Sequence, residues 1–239
     1  MSLPTFRAIL TQRRSVTPNV GAFCFRRIDA APMQFQAGQW VQVLIPTHEG
    51  SVKRAYSIAS APGTGPDFEL AVTHVTGGTG SSSLHSIDVG AELEFTEPAG
   101  FFVRKGDHPS LFVATGTGLT PLYSMMLDAI HQGHQSPMVL LIGVRREEDR
   151  LYAQELQALA AAHSHVQVFY TLSQSRSEEG LRGYVQAHVP RLHAELSARA
   201  NDKAHVYICG LEKMVTAVRA VCKENLGLTR EHIHSERYD

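Results

Sequence analysis

The chain has 239 residues, 43% of them hydrophobic and 19% charged, with a formal net charge of -1. That composition suits a packed core rather than a disordered chain, and a near-neutral balance gives no general pull toward nucleic acid or acidic membranes. Three cysteines at wide spacings, Cys24, Cys209 and Cys222, argue against a disulfide framework, an iron–sulfur cluster or a zinc ribbon, and no metal site is expected.

The opening "MSLPTFRAILTQRR" lacks the apolar core and cleavage site of a signal peptide. No apolar run approaches the roughly 18–20 residues that cross a bilayer as a helix. A cytoplasmic protein with no membrane or nucleic-acid partner is therefore expected. Residues 1–103 then read as short strands divided by Gly, Pro and Asp clusters: "FRAILTQRR", "GAFCFRRI", "QWVQVLIP", "FELAVTHV" and "AELEFTEP". Several strands with no convincing helix suggest a closed barrel, which removes exposed edges; one helical turn is expected near Ser81 in "SSSLHSI". After "RKGDHPS" the texture changes. "SLFVAT" is a continuous apolar run, as in a parallel strand covered on both faces, and "GTGLTPLYSMMLDAIHQG" follows with Leu122, Met125, Met126 and Ala129 at helical spacing. Strands "PMVLLIGV", "HVQVFYTL" and "HVYICG" alternate with helices in "RLYAQELQALAAAH", around 183–198 and in "EKMVTAVRAVCKENLG". That alternation predicts a doubly wound parallel sheet. The domains are expected to be 1–106 and 107–239.

Three stretches could carry chemistry. In "RAYSIAS" (54–60) alternation puts Arg54, Tyr56 and Ile58 on one side and Ala55, Ser57 and Ala59 on the other. A cation, a phenol and a hydroxyl within four positions are more than an ordinary half-buried strand needs. "GGTGSSSL" (77–84) is a glycine turn running into a helix start; alone it reads as a flexible loop, but its amides and the Arg54 fork can surround one diphosphate. "ATGTGLTP" (114–121) sits where a parallel strand enters a helix, the place such sheets bind ligands. It is neither a P-loop nor a full GxGxxG fingerprint, since Pro121 stands where further glycine or lysine would be needed.

With "EPAGFF" and "YICGLEKM", these motifs occur in one order along the chain, and over nearly its whole length it resembles the ferredoxin–NADP(+) reductase family of flavoproteins, most closely the bacterial ferredoxin/flavodoxin reductase branch. The resemblance implies an antiparallel six-stranded flavin-binding β-barrel followed by a doubly wound parallel-sheet nucleotide-binding domain, with FAD and NADPH as cofactors. It implies that Arg54 holds the FAD diphosphate, that Tyr56 packs on the isoalloxazine, and that Ser57, after Ala55, brings a hydroxyl near flavin N5. Ala71, Val72 and Thr73 match a segment lining the rest of FAD, and Thr79, Gly80 and Ser81 match its diphosphate turn. Gly116, Thr117, Gly118 and Pro121 match the loop receiving the pyridine nucleotide. Cys209 matches a cysteine beside the nicotinamide, although no adjacent base marks it as a thiolate nucleophile. In "SERYD", Glu236 is implied to assist proton movement and Tyr238 to cover the flavin, while Asp239 departs from the family's aromatic-terminal form.

For the NADP 2′-phosphate, Ser173 matches the family serine, but Gln174 stands where NADP enzymes usually have arginine; Arg176 or Arg182 could substitute, with Tyr184 and Arg145 as further contacts. The function implied is electron transfer between NADPH and a separate one-electron carrier, ferredoxin or flavodoxin, by a monomer; the catalytic residues are Ser57, Cys209, Glu236 and Tyr238. Arg7, Arg13, Arg14, Arg26, Arg27, Lys53 and Arg54 make the first half basic and form a possible docking patch. The competing readings are a reductase serving an oxygenase, a flavin-bearing subunit of a larger complex, and a non-redox nucleotide-binding module.

Overall fold

A computed structural model describes residues 3–47, 50–174 and 180–238. Packing divides the chain into two compact units, 1–104 with 123–128, and 105–122 with 129–239.

The first unit holds β1 (Thr5–Thr17), β2 (Val20–Arg27), β3 (Trp40–Thr47), β4 (Gly50–Ser57), β5 (Asp67–Thr73), α1 (Thr79–Ser86) and β6 (Glu92–Thr96). Its strands lie in the order β4-β3-β6-β1-β2-β5, and every pair is antiparallel. An antiparallel bridge between Ile58 and Leu70, with Ala59 N–H donating to Glu69 O at 2.8 Å, joins the two ends of the sheet and closes the barrel. Alternation explains the inside: Phe6, Ala8 and Leu10 of β1 are buried while Thr5 and Arg7 are exposed. Phe6, Phe25, Phe68 and Phe95 meet ring against ring, Phe25 and Phe95 at 4.9 Å edge to face. Leu84 of α1 packs into the same cluster, so α1 is amphipathic cover for the barrel as well as a candidate phosphate site.

The second unit holds β7 (Ser110–Thr115), α2 (Leu119–His131), β8 (Met138–Val144), α3 (Ala153–Ala162), β9 (Val166–Leu172), β10 (Leu181–Arg182), α4 (Val189–Ala200), β11 (His205–Leu211), α5 (Glu212–Glu224) and β12 (Ile233–Tyr238). The order is β10-β9-β8-β7-β11-β12, all parallel. Leu111, Val113, Val139, Leu141, Val206 and Ile208 pack with Leu192 and Leu196 of α4 and with Val218 and Cys222 of α5. Their alternates Phe112, Leu140, Ile142 and Tyr207 are equally buried on the other face, which is why these strands read as unbroken apolar runs.

Some elements differ from the sequence reading. The helix expected across "RLYAQELQALAAAH" begins only at Ala153, because buried Tyr152 takes a left-handed conformation, φ +51°. The helix expected around 183–198 is a 3-10 turn at Val185–Ala187 followed by α4, with Pro190 in its first turn. Strands β10 and β12 had no counterpart in the sequence reading: one is two residues long, the other has a single buried residue, Ile233. Among the described residues, no helix is long and apolar enough to cross a membrane, and no group of three or more His, Cys, Asp or Glu is placed to hold a metal ion.

Candidate functional site

In the barrel, β4 pairs only with β3, placing Arg54 opposite Val43, Tyr56 opposite Val41 and Ser57 opposite Trp40. Arg54 and Tyr56 share a face, and α1 begins against it. A Cβ built on Gly80 would lie 2.5 Å from Arg54 Cγ, 3.3 Å from Tyr56 Oη and 3.3 Å from Ile45 Cδ1. Glycine lets the helix start lie this close to the strand without moving the Arg54 stem. The structure thus brings "RAYS" and "GGTGSSSL" into contact. Tyr56 is half-buried, and that burial pushes its phenol up, against the pull of the Arg54 charge. Arg54 is exposed, with one Nη1 donating to Lys53 O at 2.9 Å. Ser57 is buried at 5% exposure, and Ala55 is exposed.

At the start of α1, Gly78 makes no side-chain cap, and the first-turn N–H groups of a helix have no intrahelical partner. Ser81 is turned back: its Oγ accepts from Val75 N–H at 3.1 Å and faces Val75 O and Gly78 O at 3.4 Å. Its hydroxyl shapes the turn; a helix start of this kind is where an anion could be bound. Among Ala71–Thr73 the side chain of Val72 lies in the barrel core, and its carbonyl meets His85 Nε2 at 3.0 Å. Val72 is therefore not a side-chain contact for a ligand, whereas exposed Thr73 remains available.

In the second unit, β7 ends at Thr115 and passes through a 3-10 turn, Gly116–Gly118, into α2. Gly116 has φ +54° and open space around its α-carbon. Gly118 packs directly on β11: a Cβ there would overlap the carbonyl of Cys209 and lie 2.7 Å from Gly210 Cα. Thr120 Oγ1 donates to Thr117 O at 2.8 Å, and Pro121 occupies the first turn of α2, where it costs no helical hydrogen bond. Across from this turn Gly210 has φ +147°, and a Cβ there would clash with Thr115 Oγ1 and Met214 Cε. Thr115 was not anticipated from the sequence; a hydroxyl closing a strand just before a glycine turn was the available signal.

Parallel register sets Cys209 beside Glu236 and Leu211 beside Tyr238. The C-terminal residues therefore continue the sheet instead of fraying. Cys209 is fully buried, and burial, then the Glu236 charge, push its thiol far above the ordinary range against a hydrogen bond with Tyr238. It is a neutral thiol. Burial pushes the Glu236 carboxyl up to about 7, and its Oε1 is buried without a hydrogen-bond partner. Strand β12 is tied to α5 by Arg219 Nη1 donating to Ser235 Oγ at 2.5 Å and by Arg237 Nη1 on Glu212 Oε1 at 2.7 Å.

Beyond the carboxyl ends of β8 to β10, Ser173 N–H donates to Val144 O and Gln174 N–H to Arg145 O, each at 3.0 Å. Arg145 and Ser173 are thus drawn together and exposed. Arg182, opposite Leu172, is exposed and its carbonyl meets His188 Nε2 at 2.8 Å; Tyr184 is 70% exposed. Arg176 and Asp239 lie outside the described residues. Of the arginines of the expected docking patch, Arg7 pairs with Glu92, Arg14 with Glu69, Arg26 with Asp67, and Arg27 with Asp29 and Glu97. Arg13 donates to Ile87 O at 2.8 Å.

A family model for oxidoreductase FAD-binding domains matches residues 7–103, and one for oxidoreductase NAD-binding domains matches residues 112–220. The chain is 48% identical over 238 residues to ferredoxin–NADP reductase B of Sorangium cellulosum, covering 98% of both chains. It is 32% identical to the reductase component of a Pseudomonas phenol 2-monooxygenase, of which it spans only 53%. Among solved structures, a Neisseria gonorrhoeae ferredoxin NADP+ reductase with bound FAD and NADP superposes with a TM-score of 0.83 at 18% identity, covering 99% of each chain. The FAD/NAD-binding domain of a Vibrio cholerae nitric oxide dioxygenase gives 0.85 at 20%, again over 99% of both.

Proposed function

The chain belongs to the ferredoxin–NADP(+) reductase family, and from that premise we propose that it moves electrons between NADPH and a separate one-electron carrier, a ferredoxin or a flavodoxin. It has an FAD-binding and an NAD(P)-binding domain; residues 1–106 would hold FAD and residues 107–239 the pyridine nucleotide. The observation that carries the reading is the Gly80 approach, where a Cβ would lie 2.5 Å from the Arg54 stem and 3.3 Å from Tyr56 Oη, so that the start of α1 and the "RAYS" strand meet at one place. A guanidinium, unpaired helix amides and a half-buried phenol ring fit a flavin diphosphate and its ring system.

Bound FAD would supply the redox chemistry, a two-electron hydride exchange with nicotinamide and one-electron exchange with a carrier. The chain positions that chemistry. Arg54 and the amides of Thr79–Ser81 bind the diphosphate, Tyr56 offers a flat apolar face, and Ser57 presents a hydroxyl to the flavin edge. Gly116–Gly118 with Pro121 lets the nucleotide backbone approach the start of α2. Cys209 contributes a small neutral wall. Glu236 holds a proton on its carboxyl near neutral pH, where a group with that pKa can both give and take it. Tyr238 presents an aromatic ring on the same face of β12 as Glu236. Arg145, Ser173, Arg182 and Tyr184 would meet the 2′-phosphate and adenosine.

The test is spectroscopic: the purified protein should release FAD on denaturation, and anaerobic NADPH should bleach its visible absorbance. Colourless protein that cannot be reconstituted with FAD overturns the reading. Arg182→Ala should raise KM for NADPH at least tenfold while leaving that for NADH within about twofold; equal effects remove the assignment. A second reading, a reductase serving an oxygenase, is favoured by Gln174 and by the likeness to the phenol monooxygenase component, and full bleaching by NADH alone would select it. A monomer working in the cytoplasm completes the proposal.

A further inference from the structure

The amino ends of β7, β11 and β12, opposite the ends carrying Gly116 and Gly210, hold a box of aromatic rings that the function above does not use. His108 stacks on His205 at 3.9 Å and 14°. His205 lies parallel to His234 at 5.3 Å and 6°, and His234 stacks on Tyr207 at 4.4 Å and 14°. Polar contacts close the box: His205 Nδ1 to His234 Nε2 at 3.0 Å, Tyr207 Oη to His108 Nε2 at 3.3 Å, and Ser110 Oγ to His108 Nδ1 at 3.2 Å. His232 leans on His205 at 5.0 Å, its own Nδ1 held by Thr229 Oγ1 at 3.0 Å.

We propose that this ring box is a positioning clamp that pins the edge strand β12 in register and thereby sets where Glu236 and Tyr238 stand. The importance of those two residues rests on the function proposed above; the clamp does not. Strand β12 has one neighbour, β11, and one buried apolar residue, Ile233, so hydrophobic burial alone specifies its register weakly. Besides the β11 ladder, its described ties include the hydrogen bond between Cys209 and Tyr238, the Arg219–Ser235 hydrogen bond and the Arg237–Glu212 pair, whose side chains are 62% and 58% exposed; exposed pairs of that last kind add little. Side chains alternate along a strand, so His234, Glu236 and Tyr238 share one face of β12, and a one-residue slip turns all three away.

The box also holds only while it is neutral. A bond between two imidazole nitrogens needs one N–H and one bare lone pair, and doubly protonated rings in face contact repel. Acting on the box are His108 and Ser110 before and at the start of β7, Asp202 in the turn after α4, and Thr229, Glu231 and His232 before β12. His193 of α4 is held by Ala204 O, and Arg219 of α5 bonds Ser235 on the other face of β12. Burial, then His108, His234 and His232, drive His205 down to about 4 against the pull of Asp202; burial and the charges of His108 and His232 also lower His234. Depressed histidines contribute stability that is complete above their ordinary value, near 6.5, and lost as pH falls toward about 4.

Hydrogen exchange of the intact protein, corrected for intrinsic rates, tests this. Amides of Ser235–Tyr238 should lose at least tenfold protection between pH 6.5 and 4 while those of β7 and β8 keep theirs. His234→Phe, which stacks on Tyr207 but does not titrate, should flatten that loss. His234→Ala should lose the protection already at pH 7. In the same variants, reduction of ferricyanide by NADPH should fall at least tenfold in His234→Ala, with its acid limb moved, and recover in His234→Phe. Wild-type β12 protection that follows β7 and β8 at every pH, or an acid loss unchanged in His234→Phe, overturns the clamp. If His234→Ala does not fold, the wild-type titration and His234→Phe still decide it. Exchange is read without any flavin step, so failure of the electron-transfer reading would show as absent ferricyanide turnover with the exchange pattern intact.

Discussion

Glu236 illustrates how one residue's surroundings define its chemistry. A carboxyl at a strand edge would ordinarily be ionised at neutral pH; burial and the lack of a partner for Oε1 raise it to about 7. A raised carboxyl binds its proton more tightly in the folded state, so its contribution to stability is complete below the ordinary value near 4.5 and is lost as pH rises through about 7. Glu236→Gln removes that loss, so its melting temperature should gain on wild type from pH 4.5 to 7.5, while NADPH-driven turnover loses its dependence on a group titrating near 7. Parallel melting curves would refute the first expectation. Gly80 is decided by space. Gly80→Ala meets the flexible stem of Arg54, which can swing away, so the fold should survive while FAD affinity falls about tenfold, roughly 1.4 kcal/mol; flavin fluorescence titration measures it.

At the scale of elements, the two glycine turns behave differently because their neighbours do. Gly118 abuts the backbone of Cys209, which cannot yield as a side chain can. Gly118→Ala should therefore cost about 1–3 kcal/mol or more through overpacking, read as a lower denaturant midpoint together with weakened nucleotide binding. The β-barrel depends in the same way on its phenylalanine cluster. Phe95, fully buried and within 5.6 Å of Phe6, Phe25 and Phe68 by ring centroids, should cost about 3–5 kcal/mol when cut to alanine. These elements were legible early. Periods of two and of 3.6, and glycine turns at strand ends, are local signals, and "RAYS" with "GGTGSSSL" named a site because charge, ring and helix start all suit one diphosphate. Strands β10 and β12 were not legible, since two residues, or six mostly polar ones, become a strand only when a neighbour supplies the pairing.

Across the whole molecule, each unit has its own core, so ligands should act on each separately. At a concentration a hundred times its Kd, FAD should stabilise the barrel unit by about 2.7 kcal/mol, and NADP+ should do the same for the other unit. Two calorimetric transitions that respond to different ligands are expected; one transition moved equally by either would contradict this. Charge is also organised at this scale. Arginines that look like a free basic patch along the chain meet carboxylates 41 to 85 positions away, as Arg26 with Asp67 and Arg7 with Glu92 show.

By itself the sequence determined the strand-rich first half, the alternating second half, the two glycine turns and residue types suited to a diphosphate, because each is written in neighbours a few positions apart; the flavin came from the resemblance to a family. Only the tertiary structure decided that Gly80 touches Arg54 and Tyr56, that Val72 turns inward, that Glu236 is half-buried beside Cys209, and that four aromatic rings meet where three strands begin. Those facts depend on which distant segments pair and in what register, and burial, hydrogen-bond satisfaction and pKa follow from that pairing.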